Sequence, residues 1–246
     1  MHLKEPIDNR STPSTTGAPA AVPACGSRPL YFAYGSNLSP TQMRLRCTHA
    51  SDHSARPLAI ARLEGWRWFI CERGYANVKP PGGWGVSDGI PREEEVEVEL
   101  EEDEEGGGGG GGGVYGVLYE MHPADEILLD GYEGVDHGAP VCEAKGQIPA
   151  EMRPRAQGLG EYNKWYVPAV VTRWLDGTGP GLGLGPREIL ALVYVDERSV
   201  RPAAPKKEYI ARMNRGIGEA QELGFPREWV QRVMRRFIPA DGMANK

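Results

Sequence analysis

Several common functions need residues that this chain does not supply. It has four cysteines, Cys25, Cys47, Cys71 and Cys142. None forms a CxxC pair and none stands at metal spacing with a histidine, so reduced thiols are expected rather than a disulfide framework or a zinc site. No apolar run approaches the roughly 20 residues needed to cross a bilayer. No basic segment followed by an apolar stretch marks a signal peptide, so a cytoplasmic protein without a membrane partner is expected. Basic residues are not in surplus: 28 Lys and Arg face 34 Asp and Glu, a net charge of −6. A broad nucleic-acid face needs the opposite balance, and no nucleic-acid partner is expected. A Walker A loop, a GxSxG elbow and an HExxH helix are all missing. His49 and His53, four apart, could share a helix face, but no further ligand stands near them at metal spacing, and no metal is expected. Asn9-Arg10-Ser11 fits a glycosylation sequon and means nothing without secretion.

What is present is ordinary in amount and uneven in place. The chain has 246 residues, 40% hydrophobic and 25% charged, enough for one generous domain or two small ones. Residues 1–28 are rich in Ser, Thr, Pro and Ala and read as a disordered tail ahead of a single domain over 29–240. Ten acids fall between Glu93 and Glu105, and eight glycines follow from Gly106 to Gly113. Residues 80–113 therefore read as a flexible, self-repelling insertion, and the chain outside them is mildly basic. No strand-turn-helix frame surrounds the glycine run, so it is not a phosphate loop. Residues 136–160 read as a second, loop-like insertion. The Gly/Pro stretch 177–186 reads as a loop.

Strand patterns occur at Leu30 to Tyr34, Leu58 to Ile70 (with a bulge or bend at Gly65), Tyr75 to Val78, Val114 to Met121, Trp165 to Trp174 and Ile189 to Val195. A helix is expected after Ser39-Pro40-Thr41-Gln42, where Ser39 caps, Pro40 takes the first position and Gln42 completes a capping box. A second opens at Pro123, with Asp125 and Glu126 in its first turn and Leu128 and Leu129 on its apolar side; Gly131 is expected to break it. Two helices close the chain. Their stripes are Tyr209, Ile210, Met213, Ile217 and Ala220, then Trp229, Val230, Val233, Met234 and Phe237. Strand and helix do not alternate regularly, so a small mixed sheet curled into a closed or nearly closed barrel, an α+β fold with a few flanking helices, is preferred to a doubly wound one.

Two stretches could carry chemistry. At Tyr34-Gly35-Ser36-Asn37-Leu38 a strand ends and a helix starts two residues on. Glycine there permits an unusual backbone angle, and the N–H groups lack ladder partners. With the positive end of a helix dipole nearby they suit a carboxylate or phosphate. An ordinary strand-to-helix turn explains the same residues equally well. The other candidate is Glu133, between Tyr132 and Gly134. In apolar and aromatic company its carboxyl would be desolvated and its pKa raised, which suits a proton shuttle. A solvated loop glutamate is the alternative, and on the residues alone it is the stronger of the two.

Tyr31-Phe32-Ala33-Tyr34-Gly35-Ser36-Asn37-Leu38 resembles the opening motif of the γ-glutamylcyclotransferase (AIG2-like) family. The likeness continues in order through Arg73-Gly74-Tyr75-Ala76-Asn77, the strand Val114 to Tyr119, and Leu129-Asp130-Gly131-Tyr132-Glu133-Gly134-Val135, which is similar to the segment carrying the family's essential acid. It ends with Tyr162-Asn163-Lys164 and Glu208-Tyr209-Ile210 through Gly224-Phe225-Pro226. The asparagine of the first motif resembles the branch acting on γ-glutamyl amino acids or γ-glutamylamines rather than the glutathione-specific branch. The resemblance implies a monomeric or homodimeric enzyme that needs no cofactor. In it the substrate's α-amine attacks its own γ-carbonyl and releases 5-oxoproline. It implies Glu133 as the catalytic acid and base, and Tyr31, Phe32, Ala33, Tyr34, Gly35, Ser36, Asn37, Tyr162 and Tyr209 as substrate-binding residues. The other implied possibilities are a γ-glutamylamine cyclotransferase, a biosynthetic enzyme that removes a γ-glutamyl group, and a non-catalytic module that binds a small metabolite.

Overall fold

The computed structural model describes residues 29–82, 112–142, 148–175 and 188–240. The expected N-terminal tail, most of the acidic and glycine-rich insertion and the 177–186 loop lie outside them. The chain runs through β1 (Leu30–Ala33), a 3-10 turn (Ser36–Leu38), α1 (Pro40–Arg46), α2 (Ser51–Ser54), β2 (Pro57–Glu64), β3 (Arg67–Ile70) and β4 (Ala76–Lys79). It continues with β5 (Gly113–Tyr119), α3 (Pro123–Tyr132), β6 (Asn163–Trp174), β7 (Glu188–Val195), α4 (Lys207–Glu222), α5 (Arg227–Arg232) and a 3-10 turn (Met234–Arg236).

Five strands close into a barrel in the order β1-β5-β2-β6-β7. All pairs are antiparallel except β1 with β7, which run parallel and seal it. The fold is thus a closed mixed barrel with flanking helices. β6 shows why it can close: Asn163, Trp165, Val167, Ala169 and Val171 are buried while the residues between them are half-buried, the period-2 pattern of a strand with one core face. Pro168 sits where β6 pairs with β7 but beyond its pairing with β2, so its missing N–H leaves no ladder donor unmade on the β2 side. Closure abolishes free edges in these five strands.

The run from Leu58 to Ile70 is not one bent strand. It divides at Gly65 (φ +75°) into β2 of the barrel and β3, which pairs with β4 in a separate two-stranded sheet among the described residues. The second C-terminal helix also divides: α5 ends at Arg232 and a 3-10 turn carries the buried Met234. No helix among the described residues is long and apolar enough to cross a membrane. Among the described residues, Cys47, Cys71 and Cys142 form no disulfide.

Ser39 caps α1 as its sequence predicts, accepting from Gln42 N at 2.9 Å with Pro40 at the first position. The capping box does not close, because the Gln42 side chain accepts from Arg215 of α4 at 2.8 Å instead. Glu219 of α4 adds bonds to Ser39 Oγ (2.7 Å) and Thr41 N (3.0 Å). These contacts clamp α4 across the loop between β1 and α1, with Tyr209, Met213, Ile217 and Ala220 buried beneath it.

α3 ends later than expected. Gly131 and Tyr132 are helical, and Glu133 is the C-cap. Gly134 follows at φ +61°, with its N–H bonded to Gly131 O (3.3 Å) and Val135 N–H to Asp130 O (2.9 Å). This is a Schellman closure, in which glycine supplies the left-handed residue just past the cap. Leu129 is buried, but Leu128 and Ile127 are exposed. Asp125, expected only to complement the helix dipole, is fully buried and accepts from His49 N (2.8 Å), Ala50 N (2.9 Å) and Ser54 Oγ (2.7 Å). His49 lies ahead of α2 rather than on a helix face with His53, and its ring centroid lies 4.5 Å from that of His122, the two planes tilted by 34°.

Candidate active site

A cavity of about 430 Å³ opens where the loop after β1, the end of α3, the start of β6 and the first turn of α4 meet. Its walls include Tyr31, Tyr34, Gly35, Ser36 and Asn37 from the early motif, Glu133 from the α3 cap, Tyr162 ahead of β6 and Tyr209 from α4. Phe32 and Ala33 are placed differently from their expected role. Both are fully buried in the barrel wall and neither lines the cavity: Phe32 projects to the face opposite Tyr31, and the short Ala33 methyl, on the same face as Tyr31, is covered by the core.

Glu133 is brought to the early motif across 96 positions of sequence. Asn37 Nδ2 donates to its Oε1 at 3.2 Å, and Arg46 Nη1 from the last turn of α1 donates to the same oxygen at 2.7 Å. The side chain is 16% exposed. Its Oε2 makes no hydrogen bond among the described residues and is not sealed from solvent. One carboxylate oxygen is therefore anchored and the other is left without a hydrogen bond among the described residues, in a side chain that lines the cavity. Burial pushes the Glu133 carboxyl above the usual glutamate value, against the opposing pull of the Arg46 guanidinium and the Asn37 amide. This fits the desolvated environment, not the solvated loop.

Asn37 makes that arrangement at a cost. Its two N–H groups go to Glu133 and to Tyr31 Oη (2.8 Å), which leaves its Oδ1 buried without a partner. A buried acceptor left unmade costs about 1–3 kcal/mol, so aiming both N–H groups at these oxygens takes precedence over satisfying the amide.

The tyrosines are held by backbone groups. Tyr34 Oη donates to Tyr194 O at 2.5 Å and Tyr162 Oη to Ala76 O at 2.9 Å. Tyr209 Oη accepts from Ser36 N at 3.3 Å, so this N–H, expected to be open, carries a long bond to α4. Burial raises all these phenols; Tyr209 is pushed up to about 12 although the Ala76 and Ser36 N–H groups pull it down. They stay neutral at physiological pH. Gly35 has φ −111°, which any residue can adopt. Its need is space: a Cβ there would lie 2.8 Å from Tyr209 Oη.

Other cavity residues went unnoticed in the sequence reading as site residues, among them Arg46, Arg73, Tyr75, Tyr194, Lys206 and Arg212. Tyr194 Oη donates to the buried Asp130 at 2.6 Å, and Lys164 Nζ reaches the same carboxylate at 3.1 Å, an anchor for α3 one turn before Glu133. The spacing of Tyr209 and Arg212, three apart on a helix, is a signal that would have placed both on one face. Among the described residues no three His, Cys, Asp or Glu side chains converge as a metal ion requires.

No protein-family model matches the chain, and no curated protein matches its sequence. Among solved structures it is similar to an uncharacterized human protein, loc79017, with 20% identity, a TM-score of 0.47 and coverage of 88% of this chain and 91% of that one. It is similar to a γ-glutamyl cyclotransferase at 19% identity and a TM-score of 0.47, over 88% of this chain and 91% of that one. It is also similar to YkqA from Bacillus subtilis at 17% identity and a TM-score of 0.46, over 86% of this chain and 55% of that one.

Proposed function

We propose that this protein is a cyclotransferase acting on γ-glutamyl amides, of which γ-glutamyl amino acids are the first class to try. The observation that carries this reading is the Glu133 carboxylate, which lines a tyrosine-rich cavity with one oxygen pinned by Asn37 and Arg46 and the other without a hydrogen bond among the described residues. The substrate's α-carboxylate lies against the backbone of the loop from Tyr34 to Asn37, where Asn37 N–H and the start of the 3-10 turn favour an anion. Its α-ammonium then lies by the open oxygen of Glu133.

Glu133 takes one proton from that ammonium, and the freed amine attacks the γ-carbonyl carbon. A C–N bond forms and closes the five-membered ring, and a tetrahedral oxyanion results. As it collapses, the bond to the departing nitrogen breaks and Glu133 returns its proton to that nitrogen; the surplus proton left on the ring nitrogen then passes through the freed Glu133 carboxylate to solvent. The products are 5-oxoproline and a free amine, and no electrons are exchanged with a third party. A carboxyl whose pKa lies above the ordinary range serves both steps, because acid and base roles are matched when the pKa approaches the working pH. Holding the chain in its bent, reactive shape lowers the barrier further.

The test is 5-oxoproline release from γ-glutamyl amino acids by the parent protein and by Glu133→Gln. Loss of the shuttle is expected to lower turnover by about 10²–10⁴-fold in a protein that remains folded. Parental turnover in a folded Glu133→Gln protein would remove Glu133 from the mechanism.

A further inference from the structure

The cavity wall carries four cations, two of which no ion pair neutralises among the described residues. Arg46 is paired with Glu133, and Arg73 with Glu161 and Asp196. Lys206 and Arg212 have no ion pair among the described residues. Lys206 Nζ lies 4.4 Å from the Tyr75 ring centroid and donates to Tyr75 Oη at 3.2 Å. The Arg212 guanidinium lies 5.1 Å from the Tyr209 ring and 5.9 Å from the Tyr75 ring, and makes no hydrogen bond among the described residues. Tyr75 and Tyr209 meet edge to face at 5.1 Å, so the two cations share one aromatic wedge.

Stacking orients a guanidinium without consuming its N–H groups. The planar donor fork left over matches a carboxylate, and an ammonium beside it adds a second charge. Depth decides which end of a substrate meets them. Tyr209 is buried and places its hydroxyl on Ser36 N–H; Arg212 is half-buried and Lys206 exposed. The α-amine and α-carboxylate share one carbon and go to Glu133 and the loop, so only the departing end extends toward the mouth.

We propose that Arg212 and Lys206 form an anion subsite that reads a carboxylate on the departing amine, so that the enzyme releases an amino acid or peptide in preference to an uncharged amine. This rests on the cyclisation proposed above. The test compares γ-glutamyl-alanine with γ-glutamyl-alaninamide and γ-glutamyl-ethylamide, which lack that charge. The readouts are 5-oxoproline release by the parent, Arg212→Gln, Lys206→Gln and Arg212→Lys, and binding of the same three compounds to Glu133→Gln by calorimetry. The parent is expected to favour γ-glutamyl-alanine in kcat/KM by about 10- to 100-fold, the worth of a charge-assisted hydrogen bond. Arg212→Gln and Lys206→Gln each narrow that preference, mainly through KM for the charged compound, and Arg212→Lys keeps part of it. Equal kcat/KM for the three compounds overturns the subsite and leaves cyclisation standing, as does an undiminished preference in both glutamine variants. If no compound yields 5-oxoproline, cyclisation fails. Calorimetry then decides the subsite: tighter binding of γ-glutamyl-alanine upholds it and equal binding overturns it.

Discussion

Glu133 is held in a setting that changes both its reactivity and its contribution to stability. Burial raises its carboxyl above the ordinary value of 4.5. Between 4.5 and the raised value the folded protein holds a proton that the unfolded chain has released. The stability gained from that proton is complete below 4.5 and is lost as pH rises through the folded value. A Glu133→Gln protein has no such loss. Its thermal midpoint at neutral pH should equal or exceed the parent's, and the difference should shrink as the pH falls below 4.5. In turnover, the acid limb of the parent's pH profile should lie above the range of an exposed glutamate, since base action needs the ionised form. A limb at 4.5 or below would contradict the desolvated setting. Gly35 and Tyr209 form a second unit. Gly35→Ala sets a methyl 2.8 Å from Tyr209 Oη and also 3.4 Å from Ala76 Cβ. Overpacking of this kind costs about 1–3 kcal/mol, and 5-oxoproline should bind more weakly as Tyr209 leaves the Ser36 N–H. Adding Tyr209→Phe frees the space, so thermal melts should show part of the stability regained while calorimetry shows binding still impaired.

The C-terminal end of α3 aims the catalytic candidate. Glu133 is the cap itself, and its direction follows from the turn that Gly134 closes. Gly134→Ala must hold an L side chain in left-handed backbone, a cost of about 1–2 kcal/mol. Its Cβ would also press on the Glu161 side chain at 2.9 Å. Turnover should fall with the stability, although no reacting group has changed. Gly131→Ala is the matched control. That position is inside the helix with nothing within 4 Å of a new Cβ, so it should gain roughly 0.5–1 kcal/mol. Denaturant melts of the pair should move in opposite directions. A breaker at Gly131, as the sequence pattern suggests, would make both variants lose stability. Gly131 is misread locally because a glycine near a helix end looks like a terminator, whereas the bonds from Gly134 and Val135 are what stop the helix.

The barrel brings the two ends of the 83–111 segment to one place. Pro81 lies against Gly65, within 3.2 Å of where a Cβ would stand, and Gly65 N–H donates to Gly112 O at 2.7 Å. Glu64 pairs with Gly113 at the start of β5, so the last of the eight glycines is strand and belongs to the barrel. Loop closure grows only slowly with length. Removing Glu93 to Gly111 while keeping Gly112 and Gly113 should therefore leave the melting transition and 5-oxoproline release close to the parent's. A deletion that extends through Gly113 removes a paired strand residue and should be destabilising. Loss of turnover in the shorter deletion, with its stability intact, would assign the acidic run to the site.

The strands, the capped start of α1, the stripe of α4 and a compact mixed barrel are legible in the chain because each rests on neighbours a few positions apart: alternation, a cap, helical spacing. The early glycine motif and Glu133 stand out as candidate site residues only together, through a resemblance spread over most of the chain. What the linear pattern does not contain is which charges end up spent and which left over. Arg46, Arg73, Lys206 and Arg212 look alike in the sequence, yet closure of the barrel pairs the first two with carboxylates and leaves the others stacked on tyrosine rings. Phe32 and Ala33 turn to the core while their neighbour Tyr31 joins the cavity, and Asn37 gives up one acceptor to hold Glu133. Those outcomes arise from contacts between distant segments, such as Asn37 with Glu133, 96 positions apart. Local propensity acts within a turn of helix or a pair of strand residues, whereas desolvation and charge pairing act only once distant segments share the same space.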